Sequence, residues 1–166
     1  VHAPTSGKVK EIAKKIHPMT GLLSPCIVIE ADGRDEWVEG LPFSRDPFSM
    51  EKSDLLEVIR AAGIVGMGGA TFPTHVKLSP PEGKPIDTLI INGVECEPYL
   101  SADHRLMLEE PGRVLSGARV AMRILGVDRA ILAIEANKPD AIRLMEEKAP
   151  PEIRVESLSV KYPQGA

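Results

Sequence analysis

The stretch Asp87-Thr88-Leu89-Ile90-Ile91-Asn92-Gly93-Val94-Glu95-Cys96-Glu97-Pro98 decides the fold. Thr88 to Ile91 form a short apolar, β-branched run without polar alternation, which is how a strand inside a parallel sheet reads. Downstream, Val114, Leu115, Ala118, Ala121, Met122 and Leu125 recur at helical spacing, and Gly126 ends that stripe. Ala130 to Ile134 read as a second buried strand. Asn137 is placed to cap a helix that has Pro139 in its first turn and Ala141, Ile142 and Met145 facing inward. Ile153 to Val160 complete the pattern as a third strand. Strands alternating with helices predict an α/β fold, a βαβ-type parallel sheet flanked by helices with right-handed crossovers. Ligands of such sheets bind beyond the carboxyl ends of the strands. Here those ends are Asn92 to Glu95, Glu135 to Asn137, and Lys161-Tyr162.

Upstream, residues 48–62 read as a helix with Ser49 or Ser53 as its cap, Leu55, Leu56, Ile59 and Ala62 on one face, and Gly63 as its stop. Residues 1–47 are rich in Gly and Pro, with Cys26 to Ile29 as their best strand. Val9, Ile12, Ala13 and Ile16 fit helical spacing, yet a segment so short between Gly7 and Pro18 reads equally well as a strand and its bend. The predicted division is a small β-rich element over 1–47 and an α/β domain over 48–166.

Composition excludes several classes. Lys and Arg number 20 against 24 Asp and Glu, a net charge of −4, which argues against a nucleic-acid-binding domain. No apolar run approaches the roughly 20 residues of a membrane-spanning helix. Cys26 and Cys96 are the two cysteines, too few and too far apart for a metal site or the usual four-cysteine iron–sulfur motif, and the four His residues are scattered. No metal ligands and no acid–base catalytic residues are expected.

Two loops carry the functional signal. Gly63-Ile-Val-Gly66-Met-Gly68-Gly69-Ala70-Thr71-Phe72-Pro73-Thr74-His75-Val76-Lys77 holds four glycines in seven residues, which let backbone N–H groups approach an anion, with Lys77 adding a point charge. It is neither a Walker A loop nor a dinucleotide fingerprint in order, because it follows a helix and the Lys does not follow the last Gly. A ligand-free glycine hinge reads equally well from the glycines alone. In the second loop Asn92 offers an amide suited to a heterocycle edge, and Glu95 and Glu97 offer carboxylates suited to ribose hydroxyls or a polar ring substituent. Its alternative reading is a loop whose carboxylates are solvated.

Taken together, Gly66-x-Gly-Gly-Ala-x-Phe-Pro-Thr-x-x-Lys77 and Asn92-x-x-Glu-x-Glu-Pro98 resemble the flavin-binding subunit of respiratory complex I and of related NAD-dependent hydrogenases and formate dehydrogenases. The chain is more similar still to the RnfC family, the NADH-side subunits of the Rnf ferredoxin:NAD oxidoreductase. That likeness extends to His2-Ala-Pro-Thr-Ser-Gly-Lys-Val9, Ile27-Val-Ile-Glu-Ala-Asp-Gly33 with Trp37, Asp103-x-Arg105-Leu-Met107, Ile134-Glu-x-Asn-Lys-Pro139 and Lys161-Tyr-Pro-Gln-Gly165. Met67, Thr71 and Val94 depart from the complex I wording, which has Arg, Gly and Asp there.

The resemblance implies FMN and NAD(H) as cofactors. Backbone contacts would come from Gly66, Gly68, Gly69 and Ala70, with Phe72 as an aromatic wall and Lys77 at the flavin's polar edge or phosphate. Asn92 would touch the flavin, and Glu95 with Glu97 the NADH side. It also implies electron transfer between NAD(H) and ferredoxin, coupled to ion translocation by the whole complex. The 4Fe-4S clusters would lie outside this chain, the other Rnf subunits would be partners, and the location would be peripheral, on the cytoplasmic side of the bacterial inner membrane. By the same resemblance 1–47 belongs to an incomplete lipoyl-like barrel-sandwich, which favours strands for residues 7–16. The chain is then expected to be part of a longer protein, inactive alone, with one wall of its crevice supplied after Ala166. The rival expectation is a cofactor-free scaffold domain with the same fold.

Overall fold

The computed structural model describes residues 2–18, 20–39, 45–67 and 71–165. The chain divides into two compact units, 1–45 and 46–166.

In the first unit, β1 (Gly7–Ile16) pairs antiparallel with β2 (Leu23–Ala31), with an irregularity between Val9 and Glu11. Residues 7–16 are therefore a strand, and the helical spacing of their apolar residues is incidental. Val9 pairs with Ile29 and Ile12 with Ile27, and Val9, Ile12, Ile16, Leu23 and Ile27 are exposed.

The second unit is built on β3 (Leu89–Gly93), β4 (Ala130–Glu135) and β5 (Ile153–Leu158), parallel and ordered β3-β4-β5. Leu89, Ala130 and Ile153 stand side by side, as do Ile91, Leu132 and Val155. The two-residue period of a strand places these rows on one face. There they pack with Met107, Leu115, Ala118, Met122, Ala141 and Met145. Those residues come from α3 (Ala102–Glu109), α4 (Pro111–Leu125) and α5 (Pro139–Lys148). The alternate row, Ile90, Ile131 and Arg154, lies on the opposite face, where Ile90 is exposed.

Helix α4 buries a second face as well. Ile124, absent from the stripe read in the sequence, is completely buried with Leu55 of α1 (Lys52–Ala61) and Leu78, which follows α2 (Thr74–Lys77). Leu55 and Leu78 thereby tie both flanks of the glycine-rich loop to the helix layer. Gly126 ends α4 in the left-handed region at φ 70°, its N–H bonded to the Met122 and Arg123 carbonyls.

Three local expectations are corrected. Neither Ser49 nor Ser53 caps the first helix: Ser49 lies in a separate 3-10 turn, Pro47–Ser49, capped by the Asp46 carboxylate, and α1 starts after Glu51. The N-cap of α5 is Lys138 rather than Asn137, because the chain first makes a tight turn that brings the Lys138 N–H to the Glu135 carbonyl at 3.0 Å. The third strand ends at Leu158, whose carbonyl accepts the Ala136 N–H, and the chain then turns through Lys161 to Gln164. Among the described residues no helix is long and apolar enough to cross a membrane, and no cluster of His, Cys, Asp and Glu could hold a metal.

Candidate functional site

The carboxyl ends of the three strands converge on one pocket of about 390 Å³, within the size range of small-molecule sites. Its lining includes Glu95, Glu97, Tyr99, His104, Glu135 and Lys138. Beside it, the loop leaving β3 is fastened at nearly every residue. The Asn92 side-chain oxygen accepts the Val94 N–H at 3.1 Å while its amide donates to the Gly165 carbonyl at 2.9 Å. The Cys96 sulfur accepts the Gly165 N–H at 3.2 Å. This contact requires glycine at 165, since a Cβ there would lie 1.9 Å from the Val94 carbonyl oxygen.

The two carboxylates of the loop have different circumstances. Glu95 is buried, and its oxygens accept the backbone N–H groups of Asp103 at 3.0 Å and His104 at 3.3 Å. These are free donors of the first turn of α3, so Glu95 caps that helix from a distance in sequence. The Glu97 carboxylate lies 3.8 Å from the Cys96 thiol, makes no such tie to a helix, and lines the pocket.

Beneath the loop sits a buried ion pair that the sequence reading did not assign to the site. Glu135, the last residue of β4, is 1% exposed and Lys138 is 6% exposed. The Lys138 ammonium donates to Glu135 Oε2 at 3.3 Å, to the Glu95 carbonyl at 3.0 Å and to Asn137 Oδ1 at 3.5 Å. Glu135 Oε1 in turn accepts the Lys161 N–H at 3.4 Å. One pair therefore links the loops after β3, β4 and β5. The sequence signal was a carboxylate directly after an apolar strand with a lysine three residues later.

On the pocket's helix side, His104 Nε2 lies 2.8 Å from Asp140 Oδ1. That hydrogen bond, with the Ala141 N–H, holds the Asp140 carboxyl below the usual range. Partial burial and the neighbouring Glu95 carboxylate push Asp103 up.

The glycine loop is closed at its neck. Val65 and Pro73 form a β-bridge, the Gly66 N–H donates to the Phe72 carbonyl at 2.9 Å, and the Thr74 N–H donates to the Ile64 carbonyl at 3.1 Å. Met67 is almost fully exposed, Phe72 is about half exposed, and Lys77 closes α2. Thr71 has φ 50°, a left-handed conformation unusual for a β-branched residue. Gly68, Gly69 and Ala70 lie outside the described residues. The structure thus gathers Asn92, Glu95 and Glu97 at the strand ends, whereas Gly66, Phe72 and Lys77 belong to the separate loop between α1 and β3.

Residues 59–166 match the family described as the Nuo51 FMN-binding domain, spanning more than half of the chain. The chain belongs to that family. Among curated relatives, a subunit of the proton-translocating ferredoxin:NAD(+) oxidoreductase complex of Clostridium ljungdahlii is 52% identical over all of this chain and 36% of its own length. The like-named subunit of the Na(+)-translocating ferredoxin:NAD(+) oxidoreductase complex of Acetobacterium woodii is 42% identical, again over all of this chain and 38% of its own length. The chain thus spans little more than a third of these relatives. Among solved structures, an NAD+-reducing [NiFe]-hydrogenase in its H2-reduced state matches 74% of this chain and 24% of its own, at 25% identity and TM-score 0.60. These relatives are named as parts of oxidoreductases, and the α/β architecture of this Nuo51-family domain is shared with the hydrogenase chain.

Proposed function

We propose that the chain is the flavin- and dinucleotide-binding part of an RnfC-type subunit, exchanging electrons between NAD(H) and ferredoxin. The observation that carries this is the pocket at the carboxyl ends of a parallel sheet, with Glu97 facing it, in a chain of an FMN-binding family. A flavin held here would supply the chemistry that joins two-electron hydride exchange with NADH to one-electron transfer. The neck at Gly66 and Phe72 would hold the glycine loop so that its N–H groups, including those of Gly68, Gly69 and Ala70, meet the cofactor, with Lys77 supplying positive charge. Asn92 holds the strand exit in shape beside the flavin, Glu95 shapes the NADH side by anchoring α3, and Glu97 offers its carboxylate to the dinucleotide.

In this reading the 4Fe-4S clusters and the ion-translocating machinery belong to the rest of the complex, and the subunit sits peripherally on the cytoplasmic face of the membrane. The test is flavin content and NADH-dependent bleaching of the flavin band in the intact subunit. Stoichiometric FMN that NADH bleaches is the expected result. Flavin-free, folded protein after reconstitution with FMN would instead identify a scaffold domain that keeps the fold alone.

A further inference from the structure

We propose that Lys138 is a positioning residue for Glu97, a role that rests on reading the strand-end pocket as the dinucleotide site. An ammonium has three donors, and the three acceptors around Lys138 are the Glu135 carboxylate, the Glu95 carbonyl and the Asn137 side chain. No donor is left for a ligand, so this lysine serves the protein and not a phosphate.

Stability alone is a poor reason for such a pair. Desolvating two charges is costly, and well-packed apolar residues often do as well or better. An apolar pair could not donate to the Glu95 carbonyl. That carbonyl lies in the peptide unit leading to Cys96, two residues before Glu97. The Glu95 carboxylate is tied to α3 and its carbonyl to Lys138, so residue 95 is held by two separate anchors. Gly165 then holds the Cys96 sulfur. Every residue from 94 to 96 is thereby fixed, and the direction in which the chain delivers Glu97 is fixed with them.

The experiment uses the intact subunit with NADH as the probe. Replacing Lys138 alone strands a buried carboxylate, so the pair is replaced together as Glu135→Gln/Lys138→Met, which keeps an acceptor for the Lys161 N–H. The expected result is retained FMN, a KM for NADH raised about tenfold, the fold-change of a lost charge-assisted hydrogen bond, and kcat within about twofold. In a Glu97→Gln background the same pair should raise KM no further, because Lys138 acts through Glu97. An unchanged KM, or equal losses in both backgrounds, would overturn the proposal while leaving the site assignment intact. Unaltered NADH binding by Glu97→Gln with FMN in place would instead overturn the site assignment, and the positioning role with it. If the Gln/Met pair does not fold, Glu135→Leu/Lys138→Met is read in the same way, and failure of both pairs to fold would make the ammonium a stability element and refute the positioning role.

Discussion

The two loops that carry the functional signal are built on opposite plans. The acidic loop at 92–97 is anchored by side chains and backbone from three other parts of the unit: α3, the β4–α5 junction and the Lys161–Gly165 turn. The glycine loop is secured at its neck by its own backbone, between Val65–Gly66 and Phe72–Pro73, and by the packing of Leu55 and Leu78 on its flanks. A loop that presents a single carboxylate needs that carboxylate aimed, and tertiary anchors aim it. If the glycine loop meets its ligand through backbone N–H groups, as proposed, it needs only the freedom of glycine and a closed base.

The comparison breaks most readily at the buried pair. Lys138→Met alone should destabilise the α/β unit by about 3–5 kcal/mol, because Glu135 would remain buried without its cation; thermal or denaturant unfolding measures this. A loss below about 1 kcal/mol would mean that the carboxylate finds solvent, and that the loops are less firmly tied than the distances imply.

Gly165→Ala comes next. Its Cβ would fall 1.9 Å from the Val94 carbonyl oxygen, so the Lys161–Gly165 turn must lift off the acidic loop. A cost of about 1–3 kcal/mol is expected, together with faster amide hydrogen exchange at residues 94–97.

A third test separates the two carboxylates. Glu95→Ala should cost about 1–2 kcal/mol by leaving two N–H groups of α3 without acceptors. Glu97→Gln should move stability by less than about 0.5 kcal/mol. Equal losses would erase the distinction between anchor and presented group.

The smallest effect belongs to the glycine loop. A Cβ on Gly66 would lie 3.8 Å from the Phe72 carbonyl oxygen, an ordinary contact. Gly66→Ala should therefore shift stability by less than about 1 kcal/mol in calorimetry. A large loss would show that the neck is as tightly specified as the acidic loop.

What the sequence revealed follows the range of the interactions involved. The parallel sheet was legible because the apolar runs Thr88–Ile91 and Ala130–Ile134 and the alternating segment from Ile153 are separated by helical stripes, although only the middle run is buried throughout and Ile90 of β3 is exposed. The strand at 7–16 was ambiguous because its apolar residues keep helical spacing in a segment short enough between Gly7 and Pro18 to be a strand and its bend, and pairing with Leu23–Ala31 decides for the strand. Ile124 was missed because it lies off the main stripe of α4 and is buried by Leu55 and Leu78, which are remote in sequence. In the site, Asn92, Glu95 and Glu97 were visible as polar residues at a strand exit, but the different duties of the two carboxylates were not. That Glu95 is committed to Asp103 and His104 depends on where α3 begins relative to the loop. Lys138 stood in the sequence only as a member of the Ile134–Pro139 motif with no role of its own, and its burial arises only when the β3 loop folds over it.

The order of strands in the sheet repeats their order along the chain, β3, β4, β5, with each crossover running to the adjacent position. Among these three strands a ribosome never has to leave a gap for a later one: β4 and then β5 each emerge beside a partner already made, and this part of the sheet can grow in the direction of synthesis. Glu135 ends the middle strand, and Lys138 follows three residues later, before β5 exists. The charge that will be buried is thus neutralised by a neighbour emerging in the same turn of chain, and the last strand docks against a junction whose electrostatics are already settled.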